Sequence, residues 1–347
     1  MIKSIIKKLI FKIDDKCLDI FSKNKVLSNF YYSILSRQFD REKKAVMLGR
    51  LEYKKNLKNG QNSVLLRRNI HRLEKGLIMI PRRSSFALSY IGETVDSLVS
   101  CIKNNAIDND EIKWAIDVLR EYFDVVEISE KLIPLKEKFE VVTRQQLDIS
   151  SDDKEEFKPY SQSKLEACNI EYGELLKLFK RRRSTRWYQD KPVDIELVKK
   201  AVDAATLAPS ACNRQPFEFN VINGNERACE FASCAMGTAG FSKNLQCLIA
   251  VVGDLSAYPK ERDRHVIYID SALFTMQFML ALETIGLSSC VINWPDIESN
   301  ERKLTKKLNL PDYKRVTMLI AVGYPLENGG IPYSHKKSSN QLVKEVN

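Results

Sequence analysis

The sequence predicts an α+β protein: an α-helical N-terminal region over residues 1–160, then a domain over 165–347 in which helices flank a small central sheet. Three observations carry this. Strand-like runs are almost absent before residue 165. After it come four short apolar runs, 217–222 FEFNVI, 247–253 CLIAVVG, 288–293 SSCVIN and 316–323 VTMLIAVG, the later ones apolar on both faces as in buried strands. Between the two textures lies 149–163, ISSDDKEEFKPYSQS, whose acidic, Pro-containing composition is that of a linker.

Taken in order, residues 2–13 place Ile2, Ile5, Ile6, Leu9, Ile10 and Ile13 on one helical face, with Lys3, Lys7, Lys8 and Lys12 mostly opposite. Such a basic amphipathic helix either packs on the N-terminal region or lies on an anionic membrane surface. Helical periodicity continues over 24–57, 62–78, 86–104, 109–129 and 133–148. The stripe Ile112, Ala115, Ile116, Leu119, Tyr122, Phe123 and Val126 is its clearest instance. Helices over 164–180 and 194–207 follow, the second capped by Asp194. A long apolar helix over 266–286 separates the second strand from the third.

Composition narrows the function. The 347 residues are 44% hydrophobic and 29% charged, enough for a sizeable core. Net charge is +10, yet residues 1–60 hold 15 Lys/Arg against 6 Asp/Glu, so nearly all the excess sits there. A near-neutral second half does not grip nucleic acid electrostatically. Eight cysteines without a C-x-x-C pair, and only three histidines, argue against structural zinc. They read as reduced thiols of a cytoplasmic protein. No stretch of about 18 uncharged apolar residues predicts a membrane span, and the N-terminus lacks the pattern of a signal peptide.

The usual catalytic constellations are missing. There is no Gly-x-Gly-x-x-Gly, 237–243 GTAGFSK lacks the ending of a phosphate loop, and neither His265 nor His335 has a Gly-x-Ser-x-Gly elbow to serve. His71 reads as a helical surface residue. Small-ligand features run in order instead. In 181–187, RRRSTRW, forked guanidinium groups and a hydroxyl could surround one phosphate, or the run could simply end a helix. In 207–219, LAPSACNRQPFEF, the amides Asn213 and Gln215 could match a heterocycle edge. GLSSC at 286–290 lets backbone N–H groups approach a planar ring. AVGYPLE at 321–327 and SHKKS at 334–338 complete the series.

In these residues the chain resembles the flavin-dependent nitroreductases. The family carries an RRS-x-R segment, an APS-x-x-N-x-QP loop, a GLG[ST]-like turn and a late GYP followed by a basic pair. Here they read Arg182-Arg183-Ser184-Thr185-Arg186, Ala208 to Pro216, Gly286-Leu287-Ser288-Ser289 and Gly323-Tyr324-Pro325. The resemblance covers about 165–347. It implies a nitroreductase-like fold with a mostly antiparallel sheet, FMN as cofactor and NAD(P)H as electron donor. Arg182, Ser184 and Arg186 would hold the phosphate and ribityl tail, with Arg183 nearby. Pro209, Ser210, Asn213 and Gln215 would line the isoalloxazine, and Leu287, Ser288 and Ser289 would face it from the other side. Lys336 and Lys337 would approach the phosphate. Met236 and Phe241 would shape the pocket.

The resemblance further implies a homodimer with each flavin at the subunit interface and a small-molecule acceptor. Hydride would pass through flavin N5, ping-pong fashion, with no catalytic acid–base pair. The acceptor could be a nitro compound, a quinone, an enone or a sugar-linked intermediate. The extension containing RRNIHRLEKGL is similar to one in nitroreductase-like proteins of surface-polysaccharide loci. That leaves an alternative, a flavin-binding accessory of polysaccharide biosynthesis with little turnover, docked by its basic N-terminus. The apolar run Ile267–Leu287 fits a helix packed across a two-fold as well as one buried in its own core. Peripheral membrane contact would run through residues 1–13.

Overall fold

The computed structural model describes residues 17–145 and 156–346. The amphipathic segment 2–13 and residues 149–155 of the acidic stretch 149–163 lie outside them. The N-terminal part is helical: α1 (Lys25–Phe30), a π-helical turn at Tyr31–Leu35, α2 (Asp40–Lys58), α3 (Ser63–Leu77), α4 (Ile91–Lys103), α5 (Asn109–Val125) and α6 (Ile133–Gln145). Its core is built by Leu66, Ile70, Leu73, Leu98, Leu119 and Tyr122, from the stripes of α3, α4 and α5. Asn62 caps α3 and Asp108 caps α5, each side chain accepting a first-turn N–H.

Four strands follow: β1 (Phe217–Asn223), β2 (Cys247–Asp254), β3 (Ser288–Ile292) and β4 (Lys314–Gly323). They form one sheet of order β1-β2-β4-β3, antiparallel throughout. Period-two alternation gives each face its own core. Cys247, Ile249, Val251, Ile320 and Val322 meet α8 (Ile195–Ala205) and α10 (Val266–Thr284). Leu248, Ala250, Val252, Leu319 and Ala321 meet α9 (Asn225–Ala232), α11 (Glu298–Lys307) and Tyr188. Phe217 and Phe219 pack their rings on Phe274 and Phe278 of α10. The expected α+β class with a small antiparallel sheet is what the chain adopts.

The helical part lies against the sheet part. Ala45 of α2 packs with Leu255, Ala257, Tyr258 and Ile267. Gly49 lets α2 come so close that a Cβ there would stand 2.7 Å from the Leu255 backbone. Arg41 meets Glu298 in a two-pronged pair at 2.6 and 3.0 Å, and Arg50 meets Glu261.

Several boundaries differ from the sequence reading. The helix expected over 24–57 breaks after the π-helical turn, where Arg37 takes a positive φ of 56°. The one expected from 86 begins at Ile91, after Ala87 at φ 63°. The one expected over 164–180 shortens to α7 (Tyr172–Arg181); residues 164–171 are exposed and bury no apolar face that would support a helix. Helices α9 and α11 were not foreseen. Residues 156–160 of the expected linker dock on α5: the Phe157 N–H donates to Asp117, and Lys158 pairs with Glu121. Glu261–Thr284 is long and apolar enough to cross a membrane by length and composition, though it is not an uncharged stretch. It carries buried Asp270 and Glu283, and its inner face is part of the sheet's core.

Candidate functional site

The arginine-rich segment leaves α7 and runs extended across the ends of β3 and β4. Ser184 forms a parallel bridge with Ser289, and the Thr185 N–H donates to Ser289 O at 3.0 Å. Tyr188 forms an antiparallel bridge with Pro325. The Tyr188 ring is fully buried and its hydroxyl donates to Thr185 O at 2.5 Å. Gly323 gives that ring room, since a Cβ would stand 2.7 Å from it. Burial drives the Tyr188 phenol well above its ordinary pKa, so it serves as a neutral anchor.

Extended backbone sends alternate side chains to opposite sides. Arg183, Thr185 and Trp187 line a cavity of about 430 Å³ together with Arg181, Glu283, Ser288 and Leu326. Arg182, Ser184 and Arg186 alternate onto the other side, where the Ser184 hydroxyl meets the Cys290 thiol and Arg186 stands 5.8 Å from the Phe241 ring centroid. The expected clamp of Arg182, Ser184 and Arg186 therefore shares a face, and Arg183 turns from it. Arg182, Arg183 and Arg186 are half-buried, and among the described residues none has a carboxylate within ion-pair distance. Arg183 and Arg186 reach only the backbone carbonyls of Arg182 and Ser184. Arg181 differs, pairing with the buried carboxylate of Glu283 at 3.3 Å. Burial raises the Glu283 pKa, against the Ser288 hydroxyl and the nearby arginines.

The turn before β3 sits beside this cluster. Gly286, at φ 81°, ends α10, and the Leu287 N–H closes back on Leu282 O at 3.0 Å. Leu287, Ser288 and Ser289 are buried, and the Ser289 hydroxyl has no hydrogen-bond partner.

The Pro209–Gln215 loop lies at the other end of α10. Its Ala211 N–H donates to Asp270 at 2.9 Å, and the Gln215 N–H donates to the Ser210 hydroxyl at 3.0 Å. Three non-glycine residues take positive φ there: Cys212 at 54°, Asn213 at 50° and Gln215 at 48°. Such conformations are stored strain that the surroundings must hold. The Gln215 amide is committed, its nitrogen to Thr206 O and its oxygen to Arg67. Among the described residues the Asn213 amide makes no hydrogen bond. Sequence reasoning missed Arg67 of α3, which donates to Asn213 O at 2.9 Å; 146 residues of separation left no local signal for it.

Asp270 and Glu283 are 13 residues apart on α10, so at about 1.5 Å per residue the two clusters stand ~20 Å apart. One chain therefore does not bring Asn213 and Ser288–Ser289 to the same ring. Lys336 and Lys337 lie on an exposed tail and make no hydrogen bond or ion pair with the arginine cluster. Among the described residues no group of His, Cys, Asp and Glu could hold a metal.

The chain is similar to known proteins over its second half. The profile of the Nitroreductase family matches residues 179–237 and 228–324. The "Putative NADH dehydrogenase/NAD(P)H nitroreductase" of Archaeoglobus fulgidus is 30% identical over 154 residues, covering 44% of this chain and 86% of that protein. The NADH dehydrogenase of Thermus thermophilus is 26% identical over 179 residues, covering 43% of this chain and 85% of that protein. An FMN-dependent nitroreductase structure from Clostridium difficile is 25% identical with a TM-score of 0.42, covering 50% of this chain and 99% of that one. From motifs in family order on an antiparallel sheet and this degree of identity, it follows that the chain belongs to the nitroreductase family of oxidoreductases.

Proposed function

We propose that the chain is an FMN-dependent NAD(P)H oxidoreductase that works as a homodimer with a composite flavin site at each end of the interface. The carrying observation is the set of half-buried arginines beside Ser184 that have no carboxylate partner among the described residues. A phosphate dianion fits such a set, because forked guanidinium donors and a hydroxyl match its oxygens. When bound, FMN supplies the redox chemistry, taking hydride from NAD(P)H and passing electrons to a small acceptor such as a nitro compound, quinone, enone or sugar-linked intermediate.

The chain's own residues bind and orient. Arg182, Ser184 and Arg186 neutralise and fix the phosphate. The partnerless Ser289 hydroxyl and the N–H groups at the start of β3 offer donors to one side of the ring. The Asn213 amide, without a hydrogen bond among the described residues, offers a donor and an acceptor to the other. No acid–base pair is required, in keeping with the lack of a nucleophile–base constellation.

Two features support the dimer. Ile269, Leu273 and Met276 form an apolar stripe on the outer face of α10, 57%, 44% and 40% exposed. An antiparallel pairing of α10 about a two-fold would also set the Asn213 loop of one protomer beside the Ser288–Ser289 turn of the other, closing the ~20 Å gap. All eight cysteines are unpaired, which suits a reducing compartment.

The test is purification followed by anaerobic titration. A yellow protein holding one FMN per chain and bleached by NADPH or NADH is the expected result. A colourless chain that fails to quench added flavin fluorescence would overturn the reading, and bound flavin that neither nucleotide bleaches would leave binding without turnover.

A further inference from the structure

Helix α3 belongs to the N-terminal helical part, yet one of its side chains is built into the Pro209–Gln215 loop. The Arg67 guanidinium uses three of its nitrogens at once. Nε donates to Asn213 O at 2.9 Å, Nη2 to the Gln215 amide oxygen at 3.4 Å, and Nη1 pairs with Glu111 of α5 at 3.1 Å. Its Cζ stands 5.4 Å from the Trp114 ring centroid, and the indole N–H of Trp114 donates to Glu74 at 2.9 Å. Both partners of the ion pair are largely buried, with side chains 19% and 14% exposed. Burial raises the Glu111 pKa, and the Arg67 guanidinium pulls it back down.

What Arg67 holds is the strained stretch itself. Asn213 and Gln215, at φ 50° and 48°, are the two loop residues to which it donates. A left-handed conformation in a non-glycine residue relaxes unless its surroundings over-determine it. Asp270 and Ser210 fix the loop from the sheet side, at Ala211 N and Gln215 N. Arg67 fixes it from the helical side and occupies the Gln215 amide oxygen, which leaves the Asn213 amide as the group free to meet a ligand.

We infer that Arg67, held by Glu111, is a positioning residue: the N-terminal helical part sets the Asn213 amide for the flavin ring, so it is a working part of the site. This rests on the proposed flavin site and deepens it. In the composite arrangement the helical part of one protomer thereby acts on the flavin bound by its partner.

The test uses the full-length chain with added FMN and compares wild type, Arg67→Lys, Arg67→Ala and Glu111→Gln. The readouts are the FMN dissociation constant from fluorescence quenching, the visible circular dichroism of bound flavin, and the melting temperature without flavin. Lysine keeps the positive charge, but a single ammonium cannot span Asn213, Gln215 and Glu111 together. Arg67→Lys is expected to melt near wild type, yet to bind FMN about tenfold more weakly and change the visible dichroism, as losing charge-assisted contacts requires. Arg67→Ala exceeds that effect where it folds, and Glu111→Gln moves the same readouts by a smaller factor. Wild-type affinity and dichroism in Arg67→Lys would overturn the inference while leaving the flavin site standing. A wild-type chain that binds no FMN would overturn the site and the inference together.

Discussion

Replacing Leu273 by glutamate strikes the outer face of α10, where Ile269, Leu273 and Met276 stand about half exposed. Each has roughly half a side chain left to bury, worth ~1 kcal/mol against the 1.5–3 kcal/mol of full burial. Three such side chains on each protomer make ~6 kcal/mol of association across a two-fold. Leu273→Glu removes two of these contributions, one per protomer, and adds the desolvation of two carboxylates. The combined loss is at least ~3 kcal/mol, which raises the dimer dissociation constant about a hundredfold or more. Sedimentation over a concentration series reads the mass, and absorbance reads the flavin per chain. The expected outcome is a folded monomer that has lost FMN, because neither half of a composite site suffices. Val141→Glu, at another exposed apolar position, is expected to leave both quantities unchanged. The reasoning fails if Leu273→Glu dimerises as wild type does, or holds one FMN per chain as a monomer.

Other outcomes follow from the same geometry. Arg182→Ala combined with Arg186→Ala removes two charge-assisted donors of about 1.5–3 kcal/mol each and is expected to yield colourless protein; stoichiometric flavin there would move the phosphate elsewhere. Arg41 and Arg302 hold the Glu298 carboxyl down at about 2, below its ordinary 4.5. A depressed carboxylate stabilises the fold above its unfolded pKa and loses that contribution as pH falls through the folded value. Glu298 is more than half exposed, so solvent screening limits the effect to about 1 kcal/mol. Urea melts of wild type and Glu298→Gln should therefore differ by about that amount near pH 6 and converge as pH falls from about 4.5 towards 2. A difference that persists at pH 2 would show that the pair is not its source.

The sheet was legible because its strands are short apolar runs bounded by turns, and α10 because it is long and apolar. Asp194 announced its helix, and its carboxylate accepts the Glu196 N–H at 2.9 Å. The charged cluster at 180–186 could be read as a small-anion site once the basic excess was placed at the far N-terminus. The breaks at Arg37 and Ala87 had no such signal, since neither residue type favours a positive φ; Arg37 O there accepts the Asp40 N–H, and Ala87 O accepts the Tyr90 and Ile91 N–H groups. Helix α11 escaped notice because it buries little beyond Leu304 and Glu301. Its acidic first turn and basic last turn were the available hint. Gln215 read as a ring contact by type and place, whereas its amide is spent on Arg67 and Thr206. The ~20 Å between the two halves of the site is likewise a property of the assembled α10 and could not be read from motif order.

Mixing two defective chains tests the composite site most directly. Arg182→Ala/Arg186→Ala damages the phosphate side and Asn213→Ala the ring side, and the two are unfolded together and refolded. If each site takes one half from either protomer, a mixed dimer has one intact site and one doubly damaged site. Random pairing then restores about a quarter of the wild-type flavin and NADPH-bleaching capacity, while neither variant refolded alone shows any. No recovery in the mixture, with mixed dimers present by mass, would place both halves of the site in one chain and contradict the account.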